Sequence, residues 1–400
     1  MRTSRDYIDE VNRVSAHNYE PIPVVISKGE GVWVYDVEGR KYLDMLSAYS
    51  ALNQGHRHPR IVRAIKEQAD RLTLTSRAFH NDMMGPFLKK LTELAGYDKA
   101  LPMNTGAEAV ETALKAARKW GYLKKGVEEN KAEIIACENN FHGRTITIIS
   151  FSTEEQYRYG FGPFTPGFRI IPYNDPDALE RAITENTVAF LVEPIQGEGG
   201  VIVPDDGYLK KIREITKKNN VLLIADEIQT GLGRTGAFFA CDHEGVRPDI
   251  MILGKALGGG LYPVSAILAD DEIMDVFTPG DHGSTFGGNP LGAAVAMASL
   301  DVIVEEKLPE RAKELGDYFM GELRKIQNPC IQEIRGKGLL IGVVIKEECG
   351  TARPYCEKLM EEGILAKDTH GQVIRFAPPL VITKEEIDFA LERIRKVLSG

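Results

Sequence analysis

Short apolar runs alternate with helical patterns through the middle of the chain. From about residue 132 onward the runs read AEIIAC, TITIISF, VAFLVEPI, VLLIADE, DIMILGK and PVSAILA, and GLLIGVVI follows much later. Runs of this length that are apolar throughout and rich in β-branched residues predict strands buried on both faces of a mostly parallel sheet. The fold class that this pattern predicts is α/β.

The pattern changes near Asn289. A helical stretch over about 291–327 separates the strand-rich region from a C-terminal part with two more strand-like runs and a last helix. The chain of 400 residues is also too long for one ordinary core, since domains average roughly 150 residues. We expect three parts, namely an N-terminal segment that packs with the small domain, a large domain with the central sheet, and a smaller α/β C-terminal domain, at residues 1–50, 51–289 and 290–400.

Three polar residues lie where the predicted strands end. Glu193 ends VAFLVE, Asp226 ends VLLIAD, and Lys255 follows DIMILG. Ligands bind at the carboxyl ends of strands in open α/β sheets, so we expect the three side chains to converge on one crevice. A single residue in such a place more often ends a strand in contact with solvent, but three together favour a ligand site.

Lys255 and Asp226 are the residue types that pyridoxal phosphate chemistry requires. Lys255 lies in LGKALGGG, where glycines leave space around the amine. Burial and nearby positive charge can make such an amine neutral enough to form a Schiff base with an aldehyde. A carboxylate such as Asp226 can keep a pyridine nitrogen protonated, which makes the ring an electron sink. Alternatively, Lys255 is a solvated surface charge and Asp226 a turn residue.

Several residues could bind anions. In MNTGAEAVETALKAARKW, Thr105 opens a capping box at the start of a predicted helix, and Gly106 permits close approach of a phosphate to the backbone amides. The hydroxyl of Thr285, in GSTFGGNP, is a second candidate, although a capped helix is more often purely structural. Arg144 and Arg375 could bind carboxylates with two hydrogen bonds, although surface ion pairs are the usual role of arginine.

Two further motifs match known ligand sites only in part. GLGRTG, at 231–236, has the GxGxxG spacing of a dinucleotide site, but DEIQT intervenes after the strand and no helical pattern follows. An NAD-linked oxidoreductase would rest on this motif alone. His56 and His58, in GHRHP, lack the further ligands that zinc requires, so we predict no metal site.

Composition and charge narrow the function classes. The formal net charge of -9 comes from interspersed acidic and basic residues, without a basic stripe that could follow a nucleic-acid backbone. The first residues lack the apolar stretch of a signal peptide, and no apolar run approaches the roughly 18 residues of a membrane span. We therefore expect a cytoplasmic protein without nucleic-acid or membrane partners. The five cysteines are widely spaced and without a CxxC pair, which predicts reduced thiols.

Segments along nearly the whole chain resemble the class III aminotransferases, pyridoxal-phosphate-dependent enzymes of fold type I. The segments are SAYSALNQGHRHP, LTSRAF, LPMNTGAEA, GFGPFTPGF, VEPIQGEGG, IADEIQTGLGRTG, LGKALGGGLYPVS, HGSTFGGNPLG, RGKGLL and IRFAPPL. IADEIQTG with LGKALGGG is specific for the class, and YSALNQG and IRFAPPL are similar to the members that act on ornithine. The resemblance implies pyridoxal 5'-phosphate as the cofactor and a homodimer or higher homo-oligomer with shared active sites.

The resemblance also implies a role for each matching residue. Lys255 would bind the cofactor and then act as general base and acid. Asp226 would hold the pyridine nitrogen, Gln229 the ring hydroxyl, and Phe141 would stack on the ring. The residues implied in phosphate binding or in support of the site are Gly106, Ala107, Thr285 reaching from the partner subunit, and Glu193.

The implied substrates are ornithine and 2-oxoglutarate, and the products are glutamate and glutamate 5-semialdehyde, which closes to pyrroline-5-carboxylate. Glutamate carries a carboxylate beside its reacting carbon and ornithine does not, so an arginine that binds the first would be an unpaired buried cation with the second. The resemblance implies that Glu198 pairs with Arg375 when ornithine binds and moves away for 2-oxoglutarate. Tyr19, Tyr49 and Arg144 would hold the distal end of ornithine, and Arg144 the distal carboxylate of the oxo-acid.

Two positions depart from the pattern of the family. His142 stands where animal members have tryptophan, and Gly199 lies in GEGG where GEAG is frequent. Two different functions stay open, that of another class III aminotransferase, acting on N-acetylornithine or 4-aminobutyrate, and that of a racemase on the same scaffold. A pocket that hydrogen-bonds the free α-amine, for example through Tyr19, should reject N-acetylornithine. A racemase would need no oxo-acid.

Overall fold

The computed structural model describes residues 2–399, and strands alternate with helices along most of the chain. The strands are β1 (Ile26–Glu30), β2 (Trp33–Asp36), β3 (Lys41–Asp44), β4 (Lys99–Met103), β5 (Glu133–Cys137), β6 (Phe168–Ile171), β7 (Thr187–Val192), β8 (Leu222–Asp226), β9 (Ile250–Leu253), β10 (Ser265–Ala269), β11 (Ile331–Lys337), β12 (Leu340–Ile345), β13 (Ile364–Leu365), β14 (Lys367–Thr369) and β15 (Val373–Phe376). The longer helices are Ser4–Val14, Pro59–Ala69, Met84–Ala95, Gly106–Trp120, Tyr208–Lys218, Pro290–Glu305, Leu308–Leu323, Arg353–Glu361 and Lys384–Leu398. Shorter helical segments are Gly121–Lys125, Ile146–Ile149, Glu155–Arg158, Pro176–Ala182, Ala240–Glu244, Lys255–Gly258, Asp271–Met274 and Glu347–Cys349.

Seven strands form the central sheet, in the order β4-β10-β9-β8-β7-β5-β6. Neighbouring strands are parallel except at β10, which runs antiparallel to β4 and β9. Every residue of β7, β8 and β9 is buried, because helices cover both faces of the sheet. The helix Gly106–Trp120 packs on one face and the helix Tyr208–Lys218 on the other. The predicted α/β fold with a mostly parallel sheet is confirmed.

Two four-stranded sheets complete the fold. The antiparallel sheet β11-β12-β15-β14 contains Arg375 in β15, a strand in which every residue is buried. The sheet β1-β2-β3-β13 joins the first strands of the chain to a late one, because β13 pairs in parallel with β3. The segment that follows β3 therefore lies beside the C-terminal part of the chain.

The expectation that all the cysteines are reduced thiols is wrong. Cys330 and Cys349 form a disulfide bond with their Cα atoms 5.7 Å apart, whereas Cys137, Cys241 and Cys356 are free and buried. The antiparallel hairpin of β11 and β12 brings the bonded pair together, since one cysteine precedes β11 and the other follows β12. The register of a hairpin does not show in cysteine spacing, which is why composition gave no sign of this bond.

Residues 2–399 contain neither a helix that could cross a membrane nor a group of three or more side chains arranged to hold a metal ion. The two histidines of GHRHP each lie beside a carboxylate. His56 Nε2 is 2.7 Å from Asp44 Oδ2, and His58 Nε2 is 2.9 Å from Glu306 Oε1. These contacts hold the loop in place.

Candidate active site

The carboxyl ends of three central strands open onto one cavity of about 200 Å³. Adjacent parallel strands bring its polar groups together, since Glu193 follows β7, Asp226 ends β8 and Lys255 follows β9. Eight residues that the sequence predicts at the site line this cavity, namely Gly106, Ala107, Phe141, Glu193, Glu198, Asp226, Gln229 and Lys255. A larger groove of about 820 Å³ beside Trp33 and His58 is more open to solvent and lies away from these residues. We therefore assign the site to the smaller cavity.

Lys255 has an unusual backbone conformation at this cavity. Its φ is +45°, in the left-handed region that residues other than glycine rarely adopt. Such conformations cluster at active sites, where the surrounding structure enforces them. Burial lowers the pKa of the Lys255 amine, an effect that Glu198 opposes and Arg375 supports. The larger neutral fraction makes the amine a nucleophile and a proton acceptor.

Asp226 is buried and is held by two contacts. Its Oδ1 accepts a hydrogen bond from the amide of Ile228 (3.1 Å), and its Oδ2 lies 2.6 Å from His142 Nδ1. Burial alone would lower the pKa of His142, but the Asp226 carboxylate outweighs it and the pKa lies above its usual value. From the sequence, His142 is notable only because it differs from the tryptophan of animal members of the family, and no contact with Asp226 is predicted. No pattern in the sequence joins two residues 84 positions apart.

Glu193 connects two loops at the cavity. Its carboxylate accepts hydrogen bonds from the amides of Phe141 (3.0 Å) and Gly197 (3.4 Å). Burial raises the pKa of Glu193 to about 7, with His142 opposing the rise and Asp226 supporting it. Glu193 therefore changes protonation near neutral pH while it holds the Phe141 loop in place.

Several polar groups at the cavity are available to a ligand. Gln229 Oε1 and His142 Nε2 are buried and have no hydrogen-bond partner among residues 2–399. The helix Gly106–Trp120 begins at the cavity, and the first amides of a helix lack partners within it. A side chain at Gly106 would approach Ile228 to 3.0 Å, so glycine keeps this helix start open. The cavity thus combines an anion-binding helix start with a carboxylate and an amine.

Glu198, which lines the same cavity, forms a charged pair with Arg375. Glu198 Oε1 lies 2.6 Å from Arg375 Nη1, and Gln229 Nε2 is a weaker donor to Glu198 at 3.4 Å. Burial would raise the pKa of Glu198, but Arg375 and Lys255 hold it below its usual range. The Arg375 side chain is 1% exposed, and its Nε and Nη2 find no acceptor within residues 2–399. Arg375 therefore retains capacity to bind a second carboxylate.

Tyr49 lies in a run of four successive residues with positive φ. They are Ser47, Ala48, Tyr49 and Ser50, with φ between 49° and 70°. None is glycine, and each left-handed residue costs roughly 1–2 kcal/mol. The ring of Tyr49 lies 4.9 Å from the guanidinium of Arg375. Burial raises the pKa of the Tyr49 phenol, and Glu198 adds to the rise.

Like Tyr49 and Arg375, the remaining predicted residues are not among those that line the cavity. Tyr19 is 69% exposed. It also contributes to the raised pKa of Tyr49, although burial and Glu198 contribute more. Arg144 is exposed, with its guanidinium 4.2 Å from the ring of Tyr157 and 5.9 Å from that of Phe141. Thr285 is exposed on a loop between Asp271–Met274 and the helix Pro290–Glu305.

Comparisons with known proteins agree with these observations. The family model described as Aminotransferase class-III matches residues 14–398. The chain is 64% identical to the ornithine aminotransferase of Brevibacillus brevis over 398 residues, which cover 100% of this chain and 99% of that protein.

Two solved structures have closely similar folds. One is the ornithine aminotransferase of Toxoplasma gondii crystallised with oxidised glutathione, in which pyridoxal phosphate partly occupies the active site; the TM-score is 0.98 at 52% identity, covering 99% of this chain and 94% of that one. The other is acetylornithine aminotransferase from Elizabethkingia anophelis, with a TM-score of 0.90 at 53% identity, covering 100% of this chain and 99% of that one. As the sequence motifs predict, the chain belongs to the class-III aminotransferases, a family of pyridoxal-phosphate-dependent enzymes.

Proposed function

We propose that this protein transfers the δ-amino group of ornithine to 2-oxoglutarate. The products are glutamate and glutamate 5-semialdehyde, which cyclises to pyrroline-5-carboxylate. The observation that carries the proposal is the ion pair of Glu198 and Arg375, 2.6 Å apart at the cavity that also contains Lys255. The substrate of the Brevibacillus brevis relative, as its name states it, supports the same choice.

The residues at the cavity fit pyridoxal phosphate as the cofactor. The Asp226 carboxylate suits the protonated ring nitrogen, and Gln229, whose Oε1 lacks a partner in the described part of the chain, suits the ring hydroxyl. The amides of Gly106 and Ala107 suit the phosphate, and Phe141 suits the face of the ring. When bound, the cofactor supplies an electron sink that weakens the C–H bond at the amine-bearing carbon of the substrate.

Lys255 performs the proton transfer. Its lowered pKa leaves Nζ neutral for part of the time, so that Nζ accepts the proton from the amine-bearing carbon and later returns a proton. Asp226, which is oriented by the 2.6 Å contact with His142, would hold the ring nitrogen of the bound cofactor. Glu193 keeps Phe141 in place through the amide hydrogen bond.

The ion pair adapts one site to two substrates with different charges. Ornithine has no carboxylate beside its δ-carbon, so Glu198 neutralises Arg375 in a place where an unpaired charge is costly. Glutamate and 2-oxoglutarate bring an α-carboxylate, which replaces Glu198 as the partner of Arg375. The Nε and Nη2 atoms that lack acceptors within residues 2–399 support this second mode of binding.

We further propose that Tyr19, Tyr49 and Arg144 bind the distal end of ornithine and that Arg144 binds the distal carboxylate of the oxo-acid. Tyr19 and Arg144 are exposed, so both side chains are accessible to a substrate. Thr285 is proposed to reach the phosphate in a second copy of the chain. Its neighbour Phe286 is 48% exposed, as expected for an apolar side chain that a homodimer covers.

N-acetylornithine is the second candidate substrate. The similarity to the acetylornithine aminotransferase structure, at 53% identity, favours it over 4-aminobutyrate and over racemisation. An acyl group would remove the positive charge and two hydrogen-bond donors from the α-amine, so a site built around the free amine would leave its partners unsatisfied. The two substrates therefore give opposite outcomes in the same assay.

A single half-reaction tests the proposal. Ornithine is added to the purified, cofactor-loaded protein without any oxo-acid, and the visible absorbance of the bound cofactor is followed while pyrroline-5-carboxylate is assayed. We expect loss of the absorbance with stoichiometric pyrroline-5-carboxylate. An absorbance that ornithine leaves unchanged but N-acetylornithine or 4-aminobutyrate converts would replace the substrate and retain the reaction class.

A further inference from the structure

Arg234 is a buried charged residue to which the proposed function gives no role. It lies in the GLGRTG loop between β8 and β9 and is 0% exposed. Its Nη1 donates hydrogen bonds to the carbonyl oxygens of Leu339 (2.9 Å) and Pro378 (2.6 Å). Its Nη2 donates to Ser47 Oγ (3.1 Å) and Asn53 Oδ1 (2.7 Å). All four acceptors are neutral.

The position of Arg234 is costly for the fold. Among residues 2–399 no carboxylate forms an ion pair with it, and burial lowers the pKa of its guanidinium to about 9, although the more distant Asp44 opposes that effect. Taking a cation out of water is costly, and neutral acceptors offset that cost less than a carboxylate would. An apolar side chain of similar size would fill the same space, so the hydrogen bonds themselves require an explanation.

Two of these hydrogen bonds hold the first residue of the left-handed turn that carries Tyr49 and a residue shortly after the turn. Ser47 is the first of the four residues with positive φ, and Asn53 follows the last of them by three positions. Ser47 Oγ also donates to the carbonyl of Ala377 (2.7 Å), two residues after Arg375, and Asn53 Nδ2 donates to Leu232 O (2.9 Å). The turn is thus tied both to the GLGRTG loop and to the end of β15.

We propose that Arg234 is a positioning residue, whose guanidinium holds the left-handed turn Ser47–Ser50 so that Tyr49 lies over Arg375. Non-glycine residues persist in this conformation only where their surroundings enforce it. The guanidinium supplies part of this enforcement, beside the Asp44 carboxylate, which accepts a hydrogen bond from the amide of Ser47 (2.8 Å). The inference rests on the proposed function, in which Tyr49 binds ornithine. Its consequence is that a loop remote from the chemistry sets the affinity for ornithine through Tyr49.

A double-mutant cycle tests the role of Arg234. The variants are Arg234→Lys, Tyr49→Ala and the combination, and the measurement is kcat/KM for ornithine in the cofactor-loaded protein. Lysine keeps the charge but cannot reach four acceptors with one planar fork. We expect Arg234→Lys alone to lower kcat/KM about tenfold, mainly through KM, and to have less than about a twofold effect when Tyr49 is already alanine. Equal losses in both backgrounds would overturn the proposal.

A matched control and a rescue separate positioning from a general loss of structure. Arg311 also donates to backbone carbonyls, those of Leu380, Val381 and Ile382, but does not contact the turn, so Arg311→Lys should leave KM for ornithine unchanged. Ala48→Gly should restore part of the loss in Arg234→Lys, because glycine adopts positive φ without steric cost. If the double variant with Arg234→Lys and Ala48→Gly has a lower KM for ornithine than Arg234→Lys alone, the positioning role of Arg234 is supported. If its KM is no lower, that role is contradicted.

Ser47→Ala provides a second test if Arg234→Lys does not fold. It removes one acceptor of Arg234 and leaves the buried guanidinium with its other three partners. We expect a rise in KM for ornithine in the same direction but of smaller size, and again a loss of the effect in the Tyr49→Ala background. A wild-type protein that does not convert ornithine contradicts the proposed function, whereas wild-type turnover with additive losses contradicts only the role of Arg234.

Discussion

Two groups of polar residues, one lining the cavity and one reaching it through Glu198, differ in how their hydrogen-bonding capacity is used. The cofactor cluster comprises His142, Glu193, Asp226 and Lys255. The switch cluster comprises Tyr49, Glu198 and Arg375. In the cofactor cluster each carboxylate has two fixed contacts, from backbone amides or from His142. In the switch cluster Arg375 makes one ion pair, and two of its nitrogens have no acceptor within residues 2–399.

Under the proposed function, this difference separates residues that serve both half-reactions from residues that change partner between them. A carboxylate held by two fixed contacts, such as Asp226, keeps one orientation whichever substrate is present. Arg375 makes one ion pair with Glu198 and keeps unused donors, so a substrate carboxylate could take over as its partner. Substitutions in the cofactor cluster should therefore affect the ornithine and glutamate half-reactions alike, whereas substitutions in the switch cluster should affect them unequally.

The largest expected effect is the loss of both half-reactions in Lys255→Ala. Removal of the amine abolishes proton transfer, which alone contributes about 10²–10⁴-fold to the rate, and removes the attachment point of the cofactor. Single-turnover measurements with ornithine and with glutamate check this expectation. Lys125→Ala is a matched control, because burial also lowers the pKa of Lys125 but its amine binds carbonyls of Thr187 and Asn220 at the opposite ends of the strands. Retained turnover in Lys255→Ala would contradict the assignment of the cofactor cluster as the site of the reaction.

Arg375→Ala should slow the glutamate half-reaction much more than the ornithine half-reaction. Loss of a buried charged partner for the α-carboxylate should lower kcat/KM for glutamate by roughly 100-fold, within the range of about 2–5 kcal/mol for such groups. The ornithine half-reaction should fall much less, because ornithine presents no carboxylate to Arg375. Both rates come from single-turnover experiments on the same preparation. Losses of equal size would mean that the switch cluster acts as a structural unit rather than as a changeable pair.

The residues in these two predictions also show how much of the site could be predicted from the sequence. Lys255, Asp226 and Glu193 could be located from the apolar runs, because adjacent parallel strands end at one edge of a sheet. The pairing of Glu198 with Arg375 came only from the resemblance to a family, since 177 positions separate the two residues. Contacts at such distances depend on how separate sheets pack, and no local pattern encodes them.

The local sequence could not predict two features of the structure around the site. The left-handed turn at Tyr49 contains serine, alanine and tyrosine, and local preferences disfavour positive φ for all of them. It exists because tertiary contacts such as that of Arg234 with Ser47 override those preferences. The GLGRTG loop has the spacing of a nucleotide motif, whereas its arginine binds the protein's own backbone. A local pattern thus marks the loop as unusual but cannot identify the partner of its arginine.

Glu198→Gln should change the switch cluster in the opposite sense to Arg375→Ala. Glutamine keeps the size of the side chain but leaves the charge of Arg375 without a counter-ion when ornithine binds. We expect KM for ornithine to rise roughly tenfold, an effect of about 1.4 kcal/mol, and KM for glutamate to fall because no carboxylate competes for Arg375. Steady-state kinetics with each substrate varied in turn measure both constants. A parallel rise in both would contradict a gate at Glu198.

The smallest expected effect concerns the pH dependence of stability in the cofactor cluster. Burial raises the pKa of Glu193 to about 7 in the folded protein, above the ordinary value of 4.5 that applies when the chain is unfolded. The folded state therefore holds more protons than the unfolded state between these values, and the contribution of Glu193 to stability is complete below pH 4.5 and is lost as the pH rises through 7. Glu193→Gln cannot titrate, so its melting temperature relative to wild type should rise by a few degrees between about pH 5 and pH 8. Thermal unfolding of both cofactor-free proteins at the two pH values measures this difference. A constant difference would mean that Glu193 stays ionised in the folded protein and that the cofactor cluster carries one more fixed negative charge near neutral pH.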